Sequence, residues 1–96
     1  MSIEIKTTES PKIMGLRKLA ELNDKDAQYK IGKALFHGVG VDLDCAVGVN
    51  YLLKAADQGH AQAQQLLGKA YHYGVGVDKN YGEATRWYNL AIEERV

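Results

Sequence analysis

The sequence predicts an all-α chain built from antiparallel helical hairpins, and three observations carry that reading. The five residues Gly38-Val39-Gly40-Val41-Asp42 recur letter for letter as Gly74-Val75-Gly76-Val77-Asp78. Sliding the chain by 36 residues lays Ala27 to His60 on Ala63 to Val96 with 11 identities in 34 pairs, ten of them in the first 16. Apolar residues on either side of each glycine pair recur at helical rather than alternating spacing. Two glycines one residue apart between helical segments supply positions open to positive φ, where a chain can reverse between antiparallel helices.

The chain in order supplies five helices, near 11–22, 25–37, 44–58, 61–73 and 80–94. Residues 1–9 form a short arm whose Ile3 and Ile5 alternate with Glu4 and Lys6, a pattern too brief to define a strand. Ser10-Pro11 starts the first helix, with serine as N-cap and proline at the first helical position. Its Ile13, Leu16, Leu19, Ala20 and Leu22 fall at helical spacing, and Arg17 and Lys18 lie in the half that suits a helix dipole. The same offset places Lys18-Leu19-Ala20-Glu21 on Lys54-Ala55-Ala56-Asp57 and Asn23 on Gly59. Both Asn and Gly tolerate a left-handed C-terminal cap, so the first helix reads as the second half of a worn repeat. The organisation is then an arm (1–9) and one domain (10–96), made of a half repeat (10–24) and two whole repeats (25–60 and 61–96).

In the first helix of each whole repeat one side gathers Ala27, Ile31, Ala34 and Leu35, matched by Ala63, Leu67, Ala70 and Tyr71. Gly32 and Gly68 sit beside that stripe. A mid-helix glycine costs about 1 kcal/mol relative to alanine, so both are read as sites of close helix approach. Asp44 and Asn80 are strong N-caps for the second helices, and Glu83 three residues after Asn80 completes a variant capping box. Tyr51, Leu52, Ala55 and Ala56, with their counterparts Trp87, Tyr88, Ala91 and Ile92, are expected to pack on the first helices. Gly48 and Ala84 keep that contact close.

Composition narrows function more than it defines it. Twelve basic and twelve acidic side chains cancel, which gives no electrostatic reason to expect nucleic acid or an anionic membrane as partner. No apolar run approaches the roughly 18 residues of a membrane span, and the N-terminus lacks the apolar core of a secretory signal, so a cytoplasmic location is expected. Cys45 is the only cysteine, which rules out an intrachain disulfide or a cysteine-based metal site and reads as a packing residue. His37, His60 and His72 have no metal-binding spacing, and no metal or cofactor is expected. The Gly-x-Gly pairs follow helices rather than strands and lack a third glycine, so they are turns and not phosphate loops. Ser2 and Ser10 lie in the arm and at a cap, leaving no nucleophile held against a base.

The pattern Ala-x-x-x-(Ile/Leu)-Gly-x-x-(Leu/Tyr)-x-x-Gly-x-Gly-Val, followed by Asp44 or Asn80, Trp87-Tyr88 and Lys54-Ala55-Ala56-Asp57-Gln58-Gly59-His60-Ala61, resembles the Sel1-like repeat, a relative of the tetratricopeptide repeats. The resemblance covers about residues 10–96. It implies an α/α solenoid whose first helices line a concave surface, and a role in protein–protein interaction rather than catalysis. Cys45 and Gly48 depart from the tyrosine and alanine usual in the family, and the last repeat ends Glu93-Glu94-Arg95-Val96 without the glycine junction. Some secreted relatives bind or slowly hydrolyse β-lactams, but those carry paired cysteines in each repeat, which this chain lacks.

By the register of the related repeats, the partner-binding positions on the concave face are Asp26, Tyr29, Lys33, Phe36 and His37 in the first whole repeat and Gln62, Gln65, Lys69, His72 and Tyr73 in the second. At about 100° per residue, Tyr29, Lys33 and Phe36 fall within roughly 60° of one another and nearly opposite Ile31 and Leu35. The aromatic pair is therefore an anchor candidate, although Phe36 could equally pack against the neighbouring repeat. Lys33 and Lys69 hold equivalent places and could grip an acidic peptide or a C-terminal carboxylate; an exposed lysine is ordinarily only a solvated charge. The function expected is a non-catalytic module binding a peptide or protein. An immunity or inhibitor protein covering one toxin or enzyme is the alternative, and a β-lactam-binding or hydrolysing enzyme a remoter one. Ile92, Val96 and the unpaired first helix also suggest a homodimer formed through an end.

Overall fold

The computed structural model describes residues 10–94, so the expectations for the N-terminal arm and for Val96 lie outside the described residues. Five helices and no strand occur among the described residues: α1 (Pro11–Glu21), α2 (Lys25–His37), α3 (Cys45–Asp57), α4 (Ala61–Tyr73) and α5 (Tyr81–Glu94). They stack into an α/α solenoid measuring 53 × 25 × 16 Å. None is long and apolar enough to cross a membrane.

Each helix starts where a side chain accepts the N–H of the residue three positions on, which satisfies a donor the helix cannot. Ser10 Oγ accepts from Ile13, Asp24 Oδ1 from Ala27, Asp44 Oδ1 from Val47 and Asn80 Oδ1 from Glu83. At the start of α4 the cap is a histidine, with His60 Nδ1 accepting from the Ala63 N–H at 3.1 Å. Left-handed residues end the helices: Gly38 (φ 70°) and Gly74 (φ 69°) follow α2 and α4, and Asn23 (φ 69°) and Gly59 (φ 81°) occupy the junctions expected for them.

The second glycine of each turn has a further reason to be glycine. A Cβ on Gly76 would lie 2.5 Å from the carbonyl oxygen of Cys45, and one on Gly40 would lie 3.3 Å from Cγ1 of Ile13. Each turn thus presses on the second helix of the preceding repeat. Ser10 N–H donates to the Gly40 carbonyl at 3.3 Å, fastening α1 to the first turn. The duplicated motif therefore reverses the chain and also stacks the repeats.

Within the hairpins, α2 packs on α3 and α4 on α5, while α1 packs on α2 and α3 on α4. Ile31, Leu52 and Leu67 are fully buried. One apolar cluster joins Ile13, Ala20, Ala27, Ile31, Ala34, Leu35 and Val41, and a second runs from Phe36 and Leu52 through Leu67 to Trp87. Gly32 and Gly48 face each other across the first hairpin: a Cβ on either would come within 2.9 Å of the other's carbonyl oxygen. Gly68 accepts the ring of Tyr88, which would stand 2.6 Å from a Cβ there.

Two of the expected packing positions behave differently from their repeat partners. Ala56 is buried because α4 covers it, whereas its counterpart Ile92 is 61% exposed, with no further hairpin against it among the described residues. Gln28 and Gln64, also equivalent, are both buried and donate from Nε2 to the carbonyls of Ala20 and Ala56, tying each first helix to the preceding second helix. Gln28 Oε1 accepts from Gln58 Nε2 at 2.7 Å, and both amides also donate to Asn23 Oδ1. Gln64 Oε1 is buried without a partner, and the residue placed like Gln58 one repeat later is Glu94, whose carboxylate borders Gly59.

Candidate functional site: a groove along the first helices

The first helices α2 and α4 touch each other, and α3 packs against both. Their shared surface carries a groove in two connected parts. One, of about 560 Å³, runs between α1 and α2 and is lined by Lys12, Ile13, Leu16, Tyr29, Lys30, Lys33, Ala34, Val39 and Gln62. The other, of about 290 Å³, runs between α2 and α4 over Tyr29, Lys33, His37, Gln62, Gln65, Leu66, Lys69 and Tyr88. Tyr29, Lys33 and Gln62 belong to both.

Of the ten positions expected from the sequence, Tyr29, Lys33, His37, Gln62, Gln65 and Lys69 meet at this groove. Phe36 does not. It is only 8% exposed and belongs to the core cluster between the repeats, so it is a packing residue rather than a surface anchor. Its repeat partner His72 is exposed and packs on Tyr73 and Tyr81, with ring centroids 4.6 and 5.3 Å away, outside the groove lining. Asp26 also stands outside that lining, because its carboxylate is drawn to His60, with Oδ1 3.1 Å from Nε2.

Tyr29 is held in place from below. Its ring stacks on His60 with centroids 4.6 Å apart. His60 is fixed by two contacts, since Nδ1 accepts from the Ala63 N–H and Nε2 faces Asp26. With Nδ1 accepting, the proton of a neutral imidazole sits on Nε2 and donates to that carboxylate. One buried histidine therefore caps α4, orients Asp26 and supports the aromatic floor of the groove. Lys33 Nζ lies 5.8 Å from the Tyr29 ring centroid, at the outer limit of a cation–π contact.

The groove also uses residues that the sequence register does not assign to it. Tyr88 reaches it from α5 because Gly68 lets its ring lie flat against α4; burial pushes its phenol pKa upward, with a smaller push from Tyr73. Lys12, Ile13 and Leu16 come from α1. Outside the groove, Arg86 donates to Glu83 at 2.9 Å and lies 4.4 Å over the Trp87 ring. That hydrogen bond chiefly holds the Glu83 carboxyl below its usual range. The Trp87 N–H is close enough to add to the effect without forming a well-aligned hydrogen bond. Cys45 is half-buried with Sγ 3.5 Å from the Phe36 carbonyl, a packing position. No group of three metal-ligating side chains gathers among the described residues.

A family model described as the Sel1 repeat matches residues 25–60 and 61–95. The chain belongs to the Sel1 repeat family. Sel1 repeats generally mediate protein–protein interaction and are generally non-catalytic. Solved structures agree with the assignment. A Sel1 repeat protein from Oxalobacter formigenes superposes with a TM-score of 0.83 at 29% identity, over 85% of this chain and 63% of that one. The protein c5321, described as a protective antigen present in uropathogenic Escherichia coli strains displaying an SLR fold, gives a TM-score of 0.83 at 35% identity, over 85% of this chain and 18% of that one. The cysteine-rich protein B of Helicobacter pylori gives 0.82 at 25% identity, over 88% of this chain and 63% of that one. The chain thus spans less than two thirds of each of these Sel1 structures. No curated protein sequence matches it.

Proposed function

We propose that the chain is a non-catalytic interaction module that receives a peptide or protein segment along the groove of α2 and α4. The observation that carries this reading is the convergence of six side chains from two helices on one open surface, four of them the repeat-equivalent pairs Tyr29 with Gln65 and Lys33 with Lys69. Repeat stacking produces such a surface automatically, and only side chains facing it need to suit a partner. Its supports are rigid: Tyr29 rests on a buried, doubly anchored histidine, so little side-chain entropy is lost when a partner packs on that ring.

Gln62 is exposed and borders both parts of the groove, so Gln62→Trp should obstruct it while sparing the core. Asn50→Trp, at an exposed position of α3 outside the groove lining, serves as control. Affinity capture with quantitative mass spectrometry should show partners lost with Gln62→Trp and kept with Asn50→Trp. Equal retention by both variants, each verified as folded by circular dichroism, would place binding elsewhere on the protein.

A further inference from the structure

The groove is basic although the chain is neutral. With twelve acidic and twelve basic side chains in the sequence, a surface chosen without regard to charge would carry both signs. Instead Lys12, Lys30, Lys33 and Lys69 line the two parts of the groove, and among the described residues no aspartate or glutamate does. Among the described residues none of these four lysines makes an ion pair. The nearby carboxylate that could have entered, Asp26, is turned to His60 instead. Like charges gathered without counter-charges repel one another, and the arrangement gains from a partner that supplies carboxylates. Between the lysines the floor is apolar, formed by Ile13 and Leu16 at one end.

We propose that the occupant of the groove is an acidic, amphipathic peptide segment of a partner protein, with its carboxylates against Lys33 and Lys69 and a large apolar side chain lodged between α1 and α2. This rests on the groove being the binding surface. Packed helices stand about 8–10 Å apart, which roughly three residues of extended chain span, so acidic residues about three apart suit lysines on neighbouring helices. The apolar floor asks for a side chain that a polyanion lacks. Among the described residues lysines alone supply the charge here, and the planar fork of arginine, which matches phosphate best, is absent from the lining. The chain's neutrality also removes the long-range attraction on which nucleic-acid binding depends. Both points favour a carboxylate-bearing peptide over nucleic acid.

Selection from a random peptide library on the intact chain, with counter-selection on Gln62→Trp, tests the inference. The expected winners are net acidic and contain at least one large apolar residue. Their affinity should fall about tenfold or more in the double variant Lys33→Gln with Lys69→Gln, and should weaken with added salt. Both lysines are exposed, so that variant should fold, which thermal unfolding checks. Neutral or basic winners that still require an open groove would overturn the acidic inference and leave the groove reading standing. Winners that bind Gln62→Trp as well as the parent would overturn the groove reading itself. An oligonucleotide that displaces the acidic peptide at equal concentration would reassign the lysines to phosphate, and a library yielding no binder would also sink the peptide proposal.

Discussion

Replacing Gly48 by alanine sets two opposing physical effects against each other in one helix. Alanine should stabilise α3 by roughly 0.5–1 kcal/mol, since glycine is the poorer helix former and the freer unfolded residue. The added methyl would stand 2.8 Å from the Gly32 carbonyl oxygen, 3.0 Å from the Phe36 nitrogen and 3.3 Å from the Leu35 Cβ. The first two are backbone atoms, which cannot rotate away, so α2 and α3 must separate by several tenths of an ångström and loosen the core they share. Overpacking of this kind costs about 1–3 kcal/mol, and the net expectation is a loss of about 1–2 kcal/mol. For a domain of this size that lowers the melting temperature by roughly 4–16 °C. Gly15 in α1 supplies the control, because a Cβ there meets nothing within 4 Å. Gly15→Ala should therefore raise stability by up to about 1 kcal/mol. Thermal unfolding of the two variants beside the parent decides the matter. If both substitutions shift the midpoint upward, the close approach of Gly32 and Gly48 does not hold the hairpin together.

Three further outcomes follow from other parts of the stack. Glu94→Gln supplies the missing donor to Gln64 Oε1, copying the Gln58–Gln28 bond of the preceding junction, and should raise the urea midpoint by an amount equivalent to about 1 kcal/mol; an unchanged midpoint would refute it. His60→Ala removes the cap of α4 and the support under Tyr29 and should cost about 1–2 kcal/mol, whereas His60→Asn should recover the capping share, as read by melting temperature. Burial raises the Tyr88 phenol above its usual pKa, so its contribution is complete below the ordinary phenol range and is lost as pH rises through the folded value. Tyr88→Phe should flatten the alkaline fall of the melting temperature, and an unaltered alkaline limb would refute the assignment.

Most of the fold was legible because its signals are local and duplicated. Caps, left-handed residues and apolar stripes act within a few residues, and the 36-residue offset shows each of them twice. The helix limits differed by one residue at Leu22, Asp44, Gln58 and Asn80, all cap positions with a half-helical character. The groove was only partly legible. Lys12, Ile13 and Leu16 enter it from a helix that belongs to the half repeat, and a register taken from the first helices alone has no position for them. Helical spacing assigns Tyr88 to the core, and it is half-buried there, but the flat seat provided by Gly68 also leaves an edge of it in the groove.

Phe36 shows why periodicity within one helix is insufficient to define a surface in a stacked protein. Its angular position, away from Ile31 and Leu35, is compatible with solvent on a lone hairpin, and the same angle points into the next repeat once one is present. Its residue type already distinguishes the two cases: phenylalanine stands where a following hairpin covers the position, and histidine where none does among the described residues. The pair Ala56 and Ile92 follows the same geometry with a different result, since the small residue fits beneath α4 while the larger one stands 61% exposed at the last helix. Burial in this fold is thus set by two coordinates, the angle around a helix and the place of the repeat in the stack. Among the groove positions Lys33 and Lys69 are exposed in both repeats, whereas Tyr29 is half-buried on His60 and its counterpart Gln65 is exposed. Tyr29, Lys33 and Lys69 line the groove and Phe36 does not, so under the proposed reading the two lysines and the histidine-supported tyrosine are the residues on which partner choice should depend.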